Sequence, residues 1–318
     1  MPRELNCSEA AACDLGTCVA ALGAAGFDPR DEGSLQDAAG WLQRLGNDRR
    51  FLADLMLAEL TRRHRADDGS TAYGPQVIML SPLGGEVYLR ANIWPSREDA
   101  MFRASGAALF AYGLPHDHNF DFLTLGYFGP GYWSDYWEYD FEAVAGAVGE
   151  AAGLRFAGRE RLAPGRLLHY RAHLDVHSQL PPDSLSVSLN VMHAGGAQGW
   201  LDQYRFDVER NQIAGILGPG ASEVFLRIAV GLGSPEALDL AEHLARTHPS
   251  DRMRLTALEA QAGVLGMEER DELWRRAEKS GCRLVSVEAR RRRAALASPE
   301  RKMGADGDQA TSIRTSDQ

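Results

Sequence analysis

The stretch LPHDHNFDFLTLGYFGPGY, residues 114–132, sets two histidines one residue apart ahead of an alternating apolar run, and it closes on a glycine–proline–glycine turn. In an extended chain, residues i and i+2 face the same way. His116 and His118 would then point together, at about the separation that two ligands of one metal require. Two polar side chains at the end of an ordinary strand give the same pattern, so the pair alone leaves both readings open. The nearest carboxylate, Asp121, faces away under strict alternation and joins the pair only if a bulge intervenes.

The texture around this stretch is that of strands. From about 75 to 218, short apolar or alternating runs such as EVYLRANIW, FDFLTLGYF, RLLHYRAHLDVH and LSVSLNVM are separated by turn signals such as SPLGG, GPG, LAPG and PPD. Many short strands at fairly even spacing predict a β-sandwich or barrel. GYFGPGYWSDYWEYDF reads as a hairpin around Gly129-Pro130-Gly131, with Trp133, Trp137 and Tyr139 on one face and Tyr132 and Tyr136 on the other. Its rings either pack the fold or form an aromatic lid, with Glu138 and Asp140 placed to meet a cationic group. FEAVAGAVGEAAG is the one helical interruption expected in this region.

Helical spacing governs both ends. Leu35, Ala39 and Leu42, then Phe51, Leu52, Leu55, Leu57 and Leu60, recur at helical spacing, and Ser34 with Asp37 resembles a helix start. The period returns after 221, where Ser234 and Ser250 precede acidic residues at helix starts. The chain therefore divides into a helical segment over 1–70, a β region over 71–220, a helical segment over 221–297 and a polar tail over 298–318 that is expected to be disordered.

The 318 residues carry a formal net charge of −10, which argues against nucleic acid or an anionic membrane as the main partner. No apolar run approaches the roughly 20 residues that span a bilayer, and MPRELNCSEAAACDLGT lacks the apolar core of a secretory signal. A cytoplasmic protein is expected. Cys7, Cys13 and Cys18 cluster without a C-x-x-C spacing, so reduced thiols are expected rather than a zinc site.

Six of the nine histidines lie between 116 and 193. A third ligand is available in PGRLLHYRAHLDVHSQLPPDSLSVSLNVM, where His169, His173, His177 and His193 follow one another; His173 and His177, four apart, are not both aimed at the pair by one strand.

A strand with H-x-H, a turn, then P-G, a strand with a histidine and a closing apolar strand resembles the cupin barrel. The run PGRLLHY…LDVHS…LSVSLNV is similar to the second half of the thiol dioxygenases, of which cysteine dioxygenase is the type. The resemblance covers roughly residues 80–195. It implies a double-stranded β-helix flanked by helices, a ferrous ion held by His116, His118 and His177, and a substrate-carboxylate arginine at Arg90 in VYLRANIW. Asp121 is an optional fourth ligand, and Asn190 and His193 are candidates to orient a ligand or oxygen. The pattern also departs from the family. Where the family carries Ser-x-His-x-Tyr this chain has Ser188, Asn190 and Met192, and Phe122 and Leu123 stand where cupins place a glutamate.

The function implied is a mononuclear non-haem Fe(II) oxygenase that uses O2 on a carboxylate-bearing substrate: an amino acid, a peptide side chain or a natural-product intermediate. Alternatives are a cupin isomerase or lyase with the same ligands, and a non-enzymatic ligand-binding cupin whose helices dock a partner. The expected partners are a small-molecule or peptide substrate and O2, with self-association left open.

Overall fold

The computed structural model describes residues 1–65, 76–81, 86–193, 195, 200–218 and 220–297. The expected tail over 298–318 lies outside these residues. Two compact units divide the chain, Met1–Gly218 and Pro219–Gln318.

Unit one carries two groups of antiparallel strands. The first sheet has the order β1-β7-β4-β9-β3-β2, with β1 at Arg3–Glu4, β7 at Leu167–Tyr170, β4 at Phe122–Phe128, β9 at Ser186–His193, β3 at Val87–Trp94 and β2 at Val77–Met79. The second has the order β6-β5-β8, from Arg155–Leu162, Tyr132–Glu138 and Asp175–Gln179, and β10 (Gln203–Asp207) pairs with β11 (Gln212–Leu217). Residues 115–117 bridge β8 and β10: His116 N–H donates to His177 O at 3.0 Å, while Phe206 N–H donates to Pro115 O at 2.9 Å. The ladders do not close into a barrel among the described residues, because β2 and β6 each keep a free edge.

The period of two divides the first sheet between two cores. Leu89, Ala91, Leu123, Leu125, Leu189 and Val191 face out, and they pack with α1 (Leu15–Ala25), α2 (Glu32–Asn47) and α3 (Phe51–Arg65) through Cys18, Leu22, Leu35, Leu42, Leu45 and Leu52. The opposite face turns Trp94, Phe122, Leu168, Tyr170 and Met192 inward, where they share a cluster with Tyr132, Tyr136 and Leu162 of the second sheet. Functional side chains on this inner face are therefore held between two hydrogen-bonded walls.

Three local expectations are corrected. Helix α2 is capped by Asp31, whose carboxylate accepts from Ser34 N–H at 2.7 Å, whereas Ser34 Oγ accepts from Asp28 N–H at 2.9 Å. The helix expected at FEAVAGAVGEAAG is a single 3-10 turn, Phe141–Ala143, followed by irregular chain. Gly146, Gly149 and Gly153 take φ of 88°, 81° and 66°, and the Glu150 carboxylate accepts from the N–H groups of Ala145, Gly146 and Ala147, which replaces helical bonds. The turn at Gly129–Gly131 joins no hairpin: β4 lies in the first sheet and β5 in the second, so the chain crosses between sheets there.

Unit one also holds α4 (Ala100–Ser105), and unit two holds helices α5 (Ala221–Gly231), α6 (Pro235–Thr247), α7 (Asp251–Val264), α8 (Met267–Ala277) and α9 (Arg283–Ala297). Ser234 and Ser250 are N-caps, with their hydroxyls accepting from Ala237 N–H at 3.2 Å and Met253 N–H at 3.3 Å. No helix among the described residues is long and apolar enough to cross a membrane.

Candidate metal centre

Neither histidine of the H-x-H pair lies on a regular strand; the strand proper begins at Phe122. His116 is an isolated bridge residue that pairs with His177 on one side and Arg205 on the other. His116 and His177 exchange both backbone hydrogen bonds, at 3.0 and 2.9 Å. In such an antiparallel pair the two side chains leave the same face, and the two rings stand 4.5 Å apart. The His118 ring lies 4.9 Å from His116 and 5.0 Å from His177.

Among the described residues, the group able to hold a metal is His116, His118 and His177, all buried, with one ligand atom of each within 4.8 Å of the others. The Nε2 atoms of His118 and His177 are 3.0 Å apart. Two nitrogens each about 2.1 Å from one metal, subtending roughly 90–110°, stand about 3.0–3.4 Å apart. The donor set fits a metal on chemistry as well as spacing, because three imidazoles suit iron, copper, nickel or zinc.

Each ring has a second contact that orients it. The Nδ1 of His116 lies 2.8 Å from the Leu114 carbonyl, which assigns the proton to Nδ1 and leaves Nε2 its lone pair. The Nδ1 of His118 lies 3.3 Å from the Gln203 amide nitrogen, and the Gln179 amide nitrogen borders His177 at 3.1 Å from Nδ1 and 3.3 Å from Nε2. Removal from water holds all three histidines below the ordinary imidazole range, His118 and His177 well below. For His118 the neighbouring His116, His177 and Arg90 add to the same effect. Neutral imidazole is the form that binds metal, and burial favours it here.

Asp117, between the two histidines, points to the other side. Its carboxylate is fully buried and accepts from Tyr139 OH at 2.6 Å and from Tyr204 N–H at 2.6 Å. This ties the ligand-bearing segment to the core behind it.

Other expected site residues separate into two sets. Arg90 and Asn190 pair across β3 and β9 and take the inward alternation of Tyr88, Trp94 and Met192. Arg90 Nε is buried and has no hydrogen-bond partner among the described residues, and desolvation holds the guanidinium below its ordinary pKa. Asn190 Nδ2 donates to the Arg90 carbonyl at 3.4 Å. Asp121 and His193 stand on the outward side. The carboxylate of Asp121 lies 3.0 Å from His169 Nε2, and the ring of His193 meets Phe27 edge-on at 5.9 Å. Both line an outer cleft of about 550 Å³ with Phe27, Asn119 and His173. No bulge turns Asp121 to the three imidazoles, so alternation keeps it away from them.

Four contributors were not foreseen: Asp117, the Leu114 carbonyl, Gln179 and Gln203. Gln179 carries a readable signal, being two residues after His177 and hence on its face. Gln203 carries none, because only the β8–(115–117)–β10 pairing brings it to His118. The aromatic stretch GYFGPGYWSDYWEYDF does not form a separate lid. Tyr132 and Tyr136 enter the inner core, Trp133 is exposed, and Glu138 is engaged by Arg171 at 3.0 Å and by the Met1 ammonium.

No protein-family model matches the chain, and neither does any curated protein. Solved structures similar to it include a candidate mannose-6-phosphate isomerase from Ralstonia eutropha JMP134, at 16% identity over 40% of this chain and 93% of that one, with a TM-score of 0.20. DMSP lyase DddQ from Ruegeria pomeroyi DSS-3 is 11% identical over 61% of this chain and 78% of its own, with a TM-score of 0.24. FeII HppE is 12% identical over 56% of this chain and 90% of its own, with a TM-score of 0.21. At TM-scores this low, the site has to be understood from its own residues.

Proposed function

We propose that the first unit is a cupin-type metalloenzyme, a mononuclear non-haem Fe(II) oxygenase that acts with O2 on a carboxylate-bearing substrate. The observation that carries this reading is the convergence of three buried, neutral imidazoles on one point. His116, His118 and His177 would hold the ferrous ion, which would supply oxygen activation beside a bound substrate.

The protein's own residues do the rest. Arg90 presents a cationic fork to a carboxylate inside the low-dielectric space between the sheets, where such a contact orients as well as binds. Asn190 holds the main chain of Arg90 in place. Phe122 stacks on Tyr170 with ring centres 4.5 Å apart, and Trp94 lies 4.3 Å from Tyr132; these rings keep water from the interior. Tyr136 and Tyr170 share a hydrogen bond of 2.9 Å, and burial pushes both phenols above their ordinary pKa, so they hold their protons at neutral pH. The four free cysteines fit work in the reducing cytoplasm.

The test is metal content of tag-free protein beside the His177→Ala variant, followed by anaerobic ferrous reconstitution and measurement of substrate-dependent oxygen uptake. About one iron per chain in the parent and little in the variant is expected. Metal without oxygen uptake on any carboxylate would move the reading to an isomerase or lyase. No metal in the parent after reconstitution would end it.

A further inference from the structure

The interior beyond the three histidines is polar in a way that packing does not explain. Register places its side chains in rows. On the second sheet, Tyr136 faces His177 across the ladder, and the next inward pair is Ser134 with Gln179. On the first sheet, Tyr88, Met192 and Phe122 form the row level with the centre, since the His118 ring meets Phe122 at 4.9 Å. The next row is Arg90, Asn190 and Thr124, and the one after is Asn92, Ser188 and Gly126. Both series run toward the Trp94–Tyr132 contact. Arg90 and Gln179 therefore stand on opposite sheets at one depth, a single same-face step of about 6.5–7 Å inward from the histidines. Asn92 lies one step further.

All three residues have a buried polar atom with no hydrogen-bond partner among the described residues: Arg90 Nε, Gln179 Oε1 and Asn92 Oδ1. Buried polar atoms are almost always paired, and atoms left unpaired at neighbouring depths on two facing sheets point to a bound molecule. With the hydroxyls of Thr124 and Ser134, which lie in the same rows and are likewise unpaired, the set is one cation, two neutral amides and two neutral hydroxyls. Among the described residues that fill these rows there is no carboxylate, and the acids one same-face step to the other side of His177, Asp175 and Glu138, are taken by Arg171.

Resting on the reading of Arg90 as the carboxylate anchor, we propose that the molecule held here is a small hydroxy acid, with its carboxylate on Arg90 and its hydroxyl between the amides of Gln179 and Asn92. A hydroxyl both donates and accepts, so it satisfies either orientation of each amide. An ammonium would sit beside a buried guanidinium with no anion to balance it. Amino acids are therefore disfavoured, which departs from what the thiol dioxygenase resemblance implies.

The experiment is calorimetric titration of the full chain, as purified and after chelator dialysis, so that chelation by a metal is separated from the amide contacts. The probes are propionate, 3-hydroxypropionate and β-alanine, and butyrate, 4-hydroxybutyrate and 4-aminobutyrate. In at least one length series the hydroxy acid is expected to bind about tenfold more tightly than its parent acid, and the amino acid more weakly than the parent. Asn92→Leu should abolish the hydroxyl preference while the parent acid still binds. Asn92→Ala serves the same purpose should the first variant fail to fold. Equal affinity for parent and hydroxy acids, preference for the amino acid, or discrimination that survives both substitutions would overturn the proposal while leaving the Arg90 reading intact. No binding of any acid would overturn both.

Discussion

His116 and His177 exchange both of their backbone hydrogen bonds, at 3.0 and 2.9 Å, although no strand element contains His116. The side chains of the centre are set by this main-chain pairing rather than by a loop. The bridge also carries His118, two residues on, to within 3.0 Å of His177. The effects of substitution follow from that arrangement.

Each of His116→Ala, His118→Ala and His177→Ala is expected to abolish stoichiometric metal binding, whereas His243→Ala, in helix α6 of the other unit, is not. Elemental analysis of the four purified variants after identical reconstitution checks this. Retention of one metal in any of the first three would exclude that residue as a ligand.

Gln203→Leu removes the side chain against His118 Nδ1 and should weaken metal affinity about 10- to 100-fold with the fold intact. Competition with a chromophoric chelator measures the affinity, and circular dichroism checks the fold. Unchanged affinity would show that Gln203 does not orient His118.

Acid should destabilise the metal-free protein early. Burial lowers the pKa of all three histidines in the folded chain, while unfolded histidine titrates near 6.5. Below that value the unfolded state binds more protons than the native state, so stability falls as pH falls. The stabilising contribution is complete above about pH 6.5, and its loss approaches about 1.4 kcal/mol per histidine per pH unit below it. Denaturant midpoints at pH 7.5 and 5.5 test this, and a His177→Leu variant should show a shallower slope. An equal slope in parent and variant would contradict it.

Tyr139→Phe leaves the buried Asp117 carboxylate with one donor fewer and should cost about 1.5–3 kcal/mol. Asp117→Ala should cost more, because it strands both the Tyr139 hydroxyl and the Tyr204 N–H. Chemical denaturation gives both values; a Tyr139→Phe protein as stable as the parent would mean that the carboxylate gains little from the phenol.

Gly131→Ala should destabilise by at least about 2 kcal/mol. The residue has φ of 79°, and an added Cβ would stand 2.0 Å from the Leu162 carbonyl oxygen. Thermal melts compare it with Gly149→Ala, which shares a positive φ but meets nothing within 4 Å and should lose less.

These glycines also show where the sequence was readable and where it was not. Alternation and the H-x-H spacing put His116 and His118 on one side correctly, since a period of two survives in an isolated bridge as well as in a strand. The caps at Ser234 and Ser250 were equally local and equally legible. Gly129-Pro130-Gly131 has the composition of a hairpin loop, yet its glycines answer to Leu185 and Leu162, whose carbonyl oxygens would stand 2.2 and 2.0 Å from added Cβ atoms. No nearby residue announces that crowding. The helix expected after Phe141 failed for a related reason, because a single glutamate, Glu150, captured the N–H groups that a helix would have used. Gln203 was invisible because its partner is 85 positions away.

The centre spans long stretches of chain, 59 positions between His118 and His177 and 85 between His118 and Gln203. Its contacts are non-local, and closing such loops is the slow part of folding. During synthesis, the amino-terminal part up to His118 holds two of the three candidate ligands but no centre. The third arrives with β8 and the last orienting group with β10, after nearly the whole unit has been made. Capture of a metal by these three histidines would thereby be timed to the end of assembly, since an unfinished chain has little with which to trap an ion.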